Sequence, residues 1–221
     1  MQAIIFDFDG IIIDTETPSF QSWEEIYRAY GLEIPLDLWL SFLGGTGESD
    51  YNPLVHLESL VGDGFDSAAV KEKDTKRFLE LVSQQPLMPG VLAYLETAKA
   101  LGLKLGVASS SPAEWVKGHL GERGLIDYFD TITTADDVEH TKPDPTLFLL
   151  TLERLGVDAD QALVFEDSLN GVRAATSAGI FTVAIPNEVS ACAPLEDHAD
   201  MMMASFEDIP LERLLAIISG K

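Results

Sequence analysis

The segment Met1-Gln2-Ala3-Ile4-Ile5-Phe6-Asp7-Phe8-Asp9-Gly10-Ile11-Ile12-Ile13-Asp14 decides how the rest of the chain is read. Ala3 to Phe6 is an unbroken apolar run, the pattern of a strand buried on both faces. Two acids follow at once, Asp7 and Asp9, and Gly10 marks a backbone turn. Side chains two apart on extended chain point to one side, so both carboxylates can reach one site. In open α/β sheets the carboxyl ends of buried strands face a ligand crevice. Acids there are costly unless a metal or a reaction needs them. The competing reading is a plain Asp-capped turn.

Working outward, residues 15 to 85 carry helical patterns and no convincing strand. Thr17 is placed to cap a helix beginning at Pro18, with Phe20, Trp23, Ile26, Tyr27 and Tyr30 at helical spacing, stopping at Gly31. Pro35 opens a second helix, Asn52-Pro53 a third and Asp66 or Ser67 a fourth. From Pro89-Gly90 the pattern alternates: helix to Leu101, strand 103–108, helix after Pro112, strand 129–133, helix 145–156, strand 162–165, helix 170–178, strand 181–185. Met201 to Met203 reads as a last short strand of core-filling methionines, ahead of a final helix near 211–218. Repeated β-α units imply a Rossmann-like, doubly wound parallel sheet. The expected division is an α/β core from residues 1–14 and 87–221, with an inserted all-helical domain over 15–86.

The net charge of −23 argues against nucleic acid or an anionic membrane as partner. Cys192 is the one cysteine, so neither an intrachain disulfide nor a cysteine-rich zinc site is available. His56, His119, His140 and His198 lack zinc-ligand spacing. Met1 leads directly into the first strand and no apolar run is long enough to span a bilayer, so a cytoplasmic protein is expected. A monomer is the default.

Three further motifs fall at expected strand or helix ends. Ala108-Ser109-Ser110-Ser111 follows the second strand, and taken alone is a turn and helix cap. Thr141-Lys142-Pro143-Asp144-Pro145 holds a lysine between turn residues. Val164-Phe165-Glu166-Asp167-Ser168-Leu169-Asn170-Gly171 again ends a strand in acids and a turn. Asp7, Asp9, Glu166 and Asp167 would gather up to four carboxylates in one crevice, a donor set of oxygens that suits Mg²⁺. Gly44-Gly45-Thr46-Gly47 is no phosphate-binding P-loop, because no Gly-Lys-Ser/Thr follows. It reads either as a loop facing a substrate or as a link between two helices. Arg173, one helical turn beyond Glu166-Asp167, reads as a surface or packing residue.

The four motifs in this order resemble those of the haloacid dehalogenase-like hydrolases, in particular the small phosphatases and β-phosphoglucomutase relatives with a helical cap. The resemblance implies Asp7 as nucleophile and Asp9 as general acid/base. It implies that Ser109 binds the transferring phosphoryl group through its hydroxyl, its backbone N–H adding a second donor, and that Lys142 stabilises phosphoryl oxygens. Asp167, the carboxylate of Asp7 and the carbonyl of Asp9 would hold Mg²⁺, with Glu166 a ligand or a supporting acid. The acid at position 9 argues against the dehalogenase and phosphonate-hydrolase branches. Ser19 and Glu48 stand where the mutases carry a histidine and an arginine, which favours a phosphatase acting on a small phosphorylated metabolite. A phosphosugar mutase and a non-catalytic binding protein on the same fold are the alternatives.

Overall fold

The computed structural model describes residues 1–42, 51–187, 190 and 194–220. The Gly44–Gly47 loop, Glu48 and Cys192 lie outside the described residues.

Strand β1 (Ala3–Phe6) is completely buried and sits at the centre of a six-stranded sheet. Beside it run β2 (Lys104–Ala108) and β4 (Ala162–Glu166), both parallel, with Ile4 opposite Leu105 on one side and Leu163 on the other. The sheet is completed by β3 (Thr131–Thr133), β5 (Phe181–Ala184) and β6 (Met201–Met202), in the order β3-β2-β1-β4-β5-β6. All pairings are parallel. A parallel sheet needs helices on both faces, which accounts for the apolar strands and the alternating pattern. The chain order reverses at β1, between β2 and β4, and the crevice at such a switch point is where ligands bind.

One face of the sheet, carrying Ile4, Phe6 and Phe165, packs on α5 (Val91–Ala100), α6 (Ala113–Glu122) and α9 (Leu211–Ser219). The other face, carrying Ala3, Ile5 and Val164, packs on α7 (Thr146–Leu155) and α8 (Leu169–Ser177). The expected segments all appear, with ends within two residues or so of the sequence reading. Within the Met triplet only Met203 is core; Met202 is exposed because strand alternation turns it outward.

Between β1 and the return of the chain at Leu87, the described residues form α1 (Glu16–Ala29), α2 (Leu36–Phe42), α3 (Pro53–Val61) and α4 (Ser67–Ser83), with no strand. This helical insert has its own small core, built on Trp23, Ile26, Tyr27, Trp39, Leu57 and Val70. Asn52 and Asp66 cap α3 and α4 through their side-chain oxygens. The start of α1 differs from the sequence reading. The helix begins at Glu16, so Thr17 lies inside its first turn and caps nothing, and the Thr17 backbone N–H donates to the Asp14 carboxylate at 2.9 Å. A carboxylate is a favoured acceptor at a helix N-terminus. The Thr17 hydroxyl oxygen is buried and finds no hydrogen-bond partner among the described residues. No described helix is long and apolar enough to cross a membrane.

Candidate active site

The site is built from the residues just beyond the carboxyl ends of β1, β2 and β4. Asp7 leaves β1, and its N–H bonds the Phe165 carbonyl of β4 at 3.0 Å, which fixes the two strand ends together. Lys142 reaches in from the turn before α7 and is 1% exposed. Its Nζ donates to Asp7 Oδ1 at 2.6 Å and to Glu166 Oε1 at 2.5 Å, with the Phe148 ring 5.1 Å away. The lysine that the sequence singled out between turn residues is thus buried and paired with two acids. The second oxygen of Glu166 accepts the N–H groups of Asp167 and Ser168 and the Ser168 hydroxyl, at 3.1 to 3.2 Å.

Asp7, Glu166 and Asp167 each offer a carboxylate oxygen within 4.8 Å of the others, and all three residues are buried. Among the described residues, Lys142 is the one cation bonded to them. Three carboxylates against one ammonium leave a large excess of negative charge out of water, an arrangement costing several kcal/mol per uncompensated ion. The charges feel one another accordingly. Burial first, then repulsion from Glu166, pushes Asp7 up to about 8, against the pull of Lys142. Asp167 is raised well above the ordinary carboxylate range by burial, Glu166 and Asp7. Burial alone would lower Lys142, but Asp7 and Glu166 outweigh it and raise it. This oxygen set fits a hard divalent cation, which would supply the missing positive charge.

Two glycines make the cluster possible. Gly10 has φ +80°, and a Cβ there would lie 2.0 Å from Asp167 Oδ2. A Cβ on Gly171 would fall 2.0 Å from the Glu166 carboxylate.

Asp9 is not part of the acid cluster. Strand β1 ends at Phe6, and the N–H groups of Ile11 and Ile12 already turn back to the Phe8 carbonyl, so the alternation of extended chain does not carry over to position 9. Its carboxylate is instead ringed by neutral donors. Thr15 Oγ1 and Trp115 Nε1 reach Oδ1, each at 2.9 Å; Ser111 Oγ and Ser109 Oγ reach Oδ2 at 2.6 and 3.3 Å. Ser109 is where the sequence put it, at the end of β2 and beside Asp9, and its side chain is buried. The expected contribution of its backbone N–H is corrected, because that group donates to the Thr133 carbonyl at 3.0 Å, continuing the β2–β3 pairing.

Several participants escaped the sequence reading. Asn187, in the loop after β5, donates from Nδ2 to Asp167 Oδ2 at 2.7 Å. Trp115 and Ser111 hold Asp9. Glu16, the first residue of the insert's first helix, sits close enough to the acids that burial and repulsion from Asp9, Asp7 and Asp14 push it up to about 8. Only Glu16 carried a usable signal, its place directly after Asp14-Thr15. Arg173 is exposed and takes no part.

The sequence profile of the haloacid dehalogenase-like hydrolases matches residues 4–185, a span that includes every one of these motifs. The chain belongs to that family. Among similar proteins, YhcW of Bacillus subtilis is 41% identical over 97% of this chain and 96% of its own. A protein of Thermotoga maritima named phosphorylated carbohydrates phosphatase is 36% identical over 81% of this chain and 82% of its own. A solved structure from Thermotoga maritima, provisionally named a β-phosphoglucomutase, superimposes with a TM-score of 0.75 at 31% identity, covering 99% of each chain. This haloacid dehalogenase-like hydrolase is therefore of the phosphatase and β-phosphoglucomutase-like branch, a phosphoric monoester hydrolase.

Proposed function

We propose that the enzyme is a Mg²⁺-dependent phosphatase of small phosphomonoesters, sugar phosphates foremost, working through a phosphorylated Asp7. The observation that carries this reading is the pair of separate carboxylate environments. Asp7 lies in a buried, charge-rich cluster against Lys142, whereas the Asp9 carboxylate is hydrogen-bonded by neutral donors. Two acids with different surroundings suit two roles, nucleophile and proton carrier.

Asp7 attacks phosphorus in line, its free carboxylate oxygen forming the new P–O bond while the ester P–O bond breaks. Asp9 delivers its proton to the departing oxygen, then accepts one from the water that hydrolyses the acyl phosphate. Lys142 and the Ser109 hydroxyl stabilise phosphoryl oxygens. Asp7, Asp167 and the Asp9 carbonyl would hold Mg²⁺, which when bound offsets the negative charge of the acids and the phosphoryl group. Glu166, with both oxygens engaged by Lys142 and backbone donors, serves to hold the lysine. Residues 15–86 act as a cap over this crevice, and Glu16 at its start is close enough to the acids to feel their charge.

The sugar-phosphate assignment draws on the Thermotoga maritima phosphatase. A mutase reading is favoured by the structural neighbour named a β-phosphoglucomutase. Ser19, where the mutases carry a histidine, speaks for hydrolysis. Phosphate release across sugar phosphates, phosphoglycolate and nucleoside monophosphates, with and without Mg²⁺, tests the proposal. Release that needs Mg²⁺ and disappears in Asp7→Asn is the expected result. Glucose 1-phosphate converted to glucose 6-phosphate with little release would make it a mutase. A folded protein inactive on every compound would point to a binding role.

A further inference from the structure

The indole of Trp115 joins two parts of the molecule that the reaction must coordinate. Its Nε1 donates to Asp9 Oδ1 at 2.9 Å. Its ring stacks on Phe78 of α4, in the helical insert, with centroids 5.5 Å apart and planes within 19°. His119, one turn further along α6, buttresses the indole edge-on at 4.2 Å and itself stacks on Phe8, the residue between the two acids. Trp115 is thus fixed from the core by His119 and from the insert by Phe78, with its one polar atom on Asp9.

The chemistry of the donors gives this contact a consequence. An indole N–H can only donate, whereas hydroxyls can donate or accept. Oδ1 of Asp9, taking the Trp115 N–H, is held as an acceptor. Oδ2 takes hydrogen bonds from hydroxyls alone, Ser111 at 2.6 Å and Ser109 at 3.3 Å, and because a hydroxyl can accept as well as donate, Oδ2 is the oxygen that can carry a proton without losing its partners. Ser109 stands just beyond the end of β2, so Oδ2 lies on the side of Asp9 that faces that strand end.

We infer that Trp115, sharing Asp9 Oδ1 with the Thr15 hydroxyl but unable to accept a proton from it, is a positioning residue of Asp9, and that Phe78 extends this control to the insert by holding the indole in place. The inference rests on the phosphatase reading. In the step concerned, the Asp7 oxygen bonds to phosphorus, the ester P–O bond breaks, and the Asp9 Oδ2 proton passes to the leaving oxygen. A poor leaving group such as a sugar alkoxide needs that proton; p-nitrophenolate departs without it.

The test is kcat/KM for an alkyl phosphate and for p-nitrophenyl phosphate, both with Mg²⁺, in the wild type, Asp9→Asn, Trp115→Phe, Phe78→Leu and the Asp9→Asn/Trp115→Phe double variant. Trp115→Phe keeps an aromatic ring against Phe78 and removes only the donor. It should lower kcat/KM for the alkyl phosphate about 10- to 100-fold, a fraction of the full general-acid contribution, and that for p-nitrophenyl phosphate by no more than about threefold. Phe78→Leu should shift the ratio the same way by less. The double variant should be no worse on the alkyl phosphate than Asp9→Asn alone, because both changes disable one group. Equal losses on the two substrates, additive losses in the double variant, or an unshifted ratio in Phe78→Leu would overturn the inference while leaving the phosphatase intact. If Asp9→Asn itself fails to discriminate between the substrates, or the wild type turns over neither, the reading of Asp9 falls and the inference with it.

Discussion

Asn187 Nδ2 lies 2.7 Å from Asp167 Oδ2, so an amide from the loop after β5 fixes the carboxylate that closes the acid cluster. The same amide's oxygen accepts the Ser190 N–H at 2.8 Å, which sets the direction of the side chain. Partners of this kind orient a metal-binding oxygen, and their removal commonly costs about 10- to 100-fold in metal affinity. Asn187→Ala should accordingly raise the Mg²⁺ concentration for half-maximal activity by that order. At saturating Mg²⁺ most of kcat should return, as titrations of rate against metal would reveal.

Lys142 offers a sharper test of the cluster's charge balance. Lys142→Met keeps the bulk of the side chain but strands Asp7 and Glu166 without a counter-ion. Breaking a buried pair in this way costs about 3–5 kcal/mol. Chemical denaturation should show that loss in metal-free protein, and phosphate release should fall by at least about 100-fold. A variant as stable as the parent would mean that the acids are not ionised together.

Gly10→Ala forces two problems at once: a side chain at φ +80° and a Cβ 2.0 Å from Asp167 Oδ2. The carboxylate must leave its place. Thermal melts should then show a lower Tm, and the rise in Tm on adding Mg²⁺ should shrink or vanish.

Stability should also depend on pH in a direction fixed by the raised acids. Asp7 goes from 3.8 to about 8 and Glu16 from 4.5 to about 8 on folding. Between those values the folded protein binds more protons than the unfolded chain, so stability falls as pH rises. The contribution is complete below about pH 4, the ordinary carboxylate value, and gone above about pH 8. Metal-free protein should therefore lose Tm from about pH 5 to about pH 8, after other groups are accounted for by comparison with Glu16→Gln. That variant should melt higher than the parent at the alkaline end and much like it at the acid end. Parallel curves would show that Glu16 keeps its ordinary carboxylate behaviour.

The sequence disclosed the sheet and most of the cluster because both depend on local pattern. A buried parallel strand must be an apolar run, and an acid or glycine at its end is visible without any partner. Glu166 and Asp167 were legible in that way, and Lys142 through the turn residues on either side of it. What stayed hidden depends on contacts between distant residues. Trp115 lies 106 residues from Asp9, and Asn187 lies 20 from Asp167, and neither spacing carries a periodic signal. Asp9 was gathered with the other three carboxylates by extending strand alternation past Phe6, where the chain has already begun to turn. The Ser109 N–H was assigned to ligand because nothing local says that β3 would claim it. The Thr17 cap failed because the helix starts two residues earlier, at Glu16, where the Asp14 carboxylate takes the Thr17 N–H.

The chain leaves the core beyond Ile13 and returns at Leu87, and those two residues are bridged antiparallel, with the Met88 N–H bonded to the Ile12 carbonyl at 2.9 Å. The two ends of the helical excursion therefore meet at one clasp. Closing such a loop costs little more for a long excursion than for a short one. A foreign helical bundle, or a mere tight turn, could be spliced across that clasp without rewiring any strand of the sheet. The molecule is in this sense a chassis whose sheet is indifferent to what is carried between residues 13 and 87, while Asp9, which takes hydrogen bonds from Thr15 and from the Trp115 that Phe78 stacks on, is not.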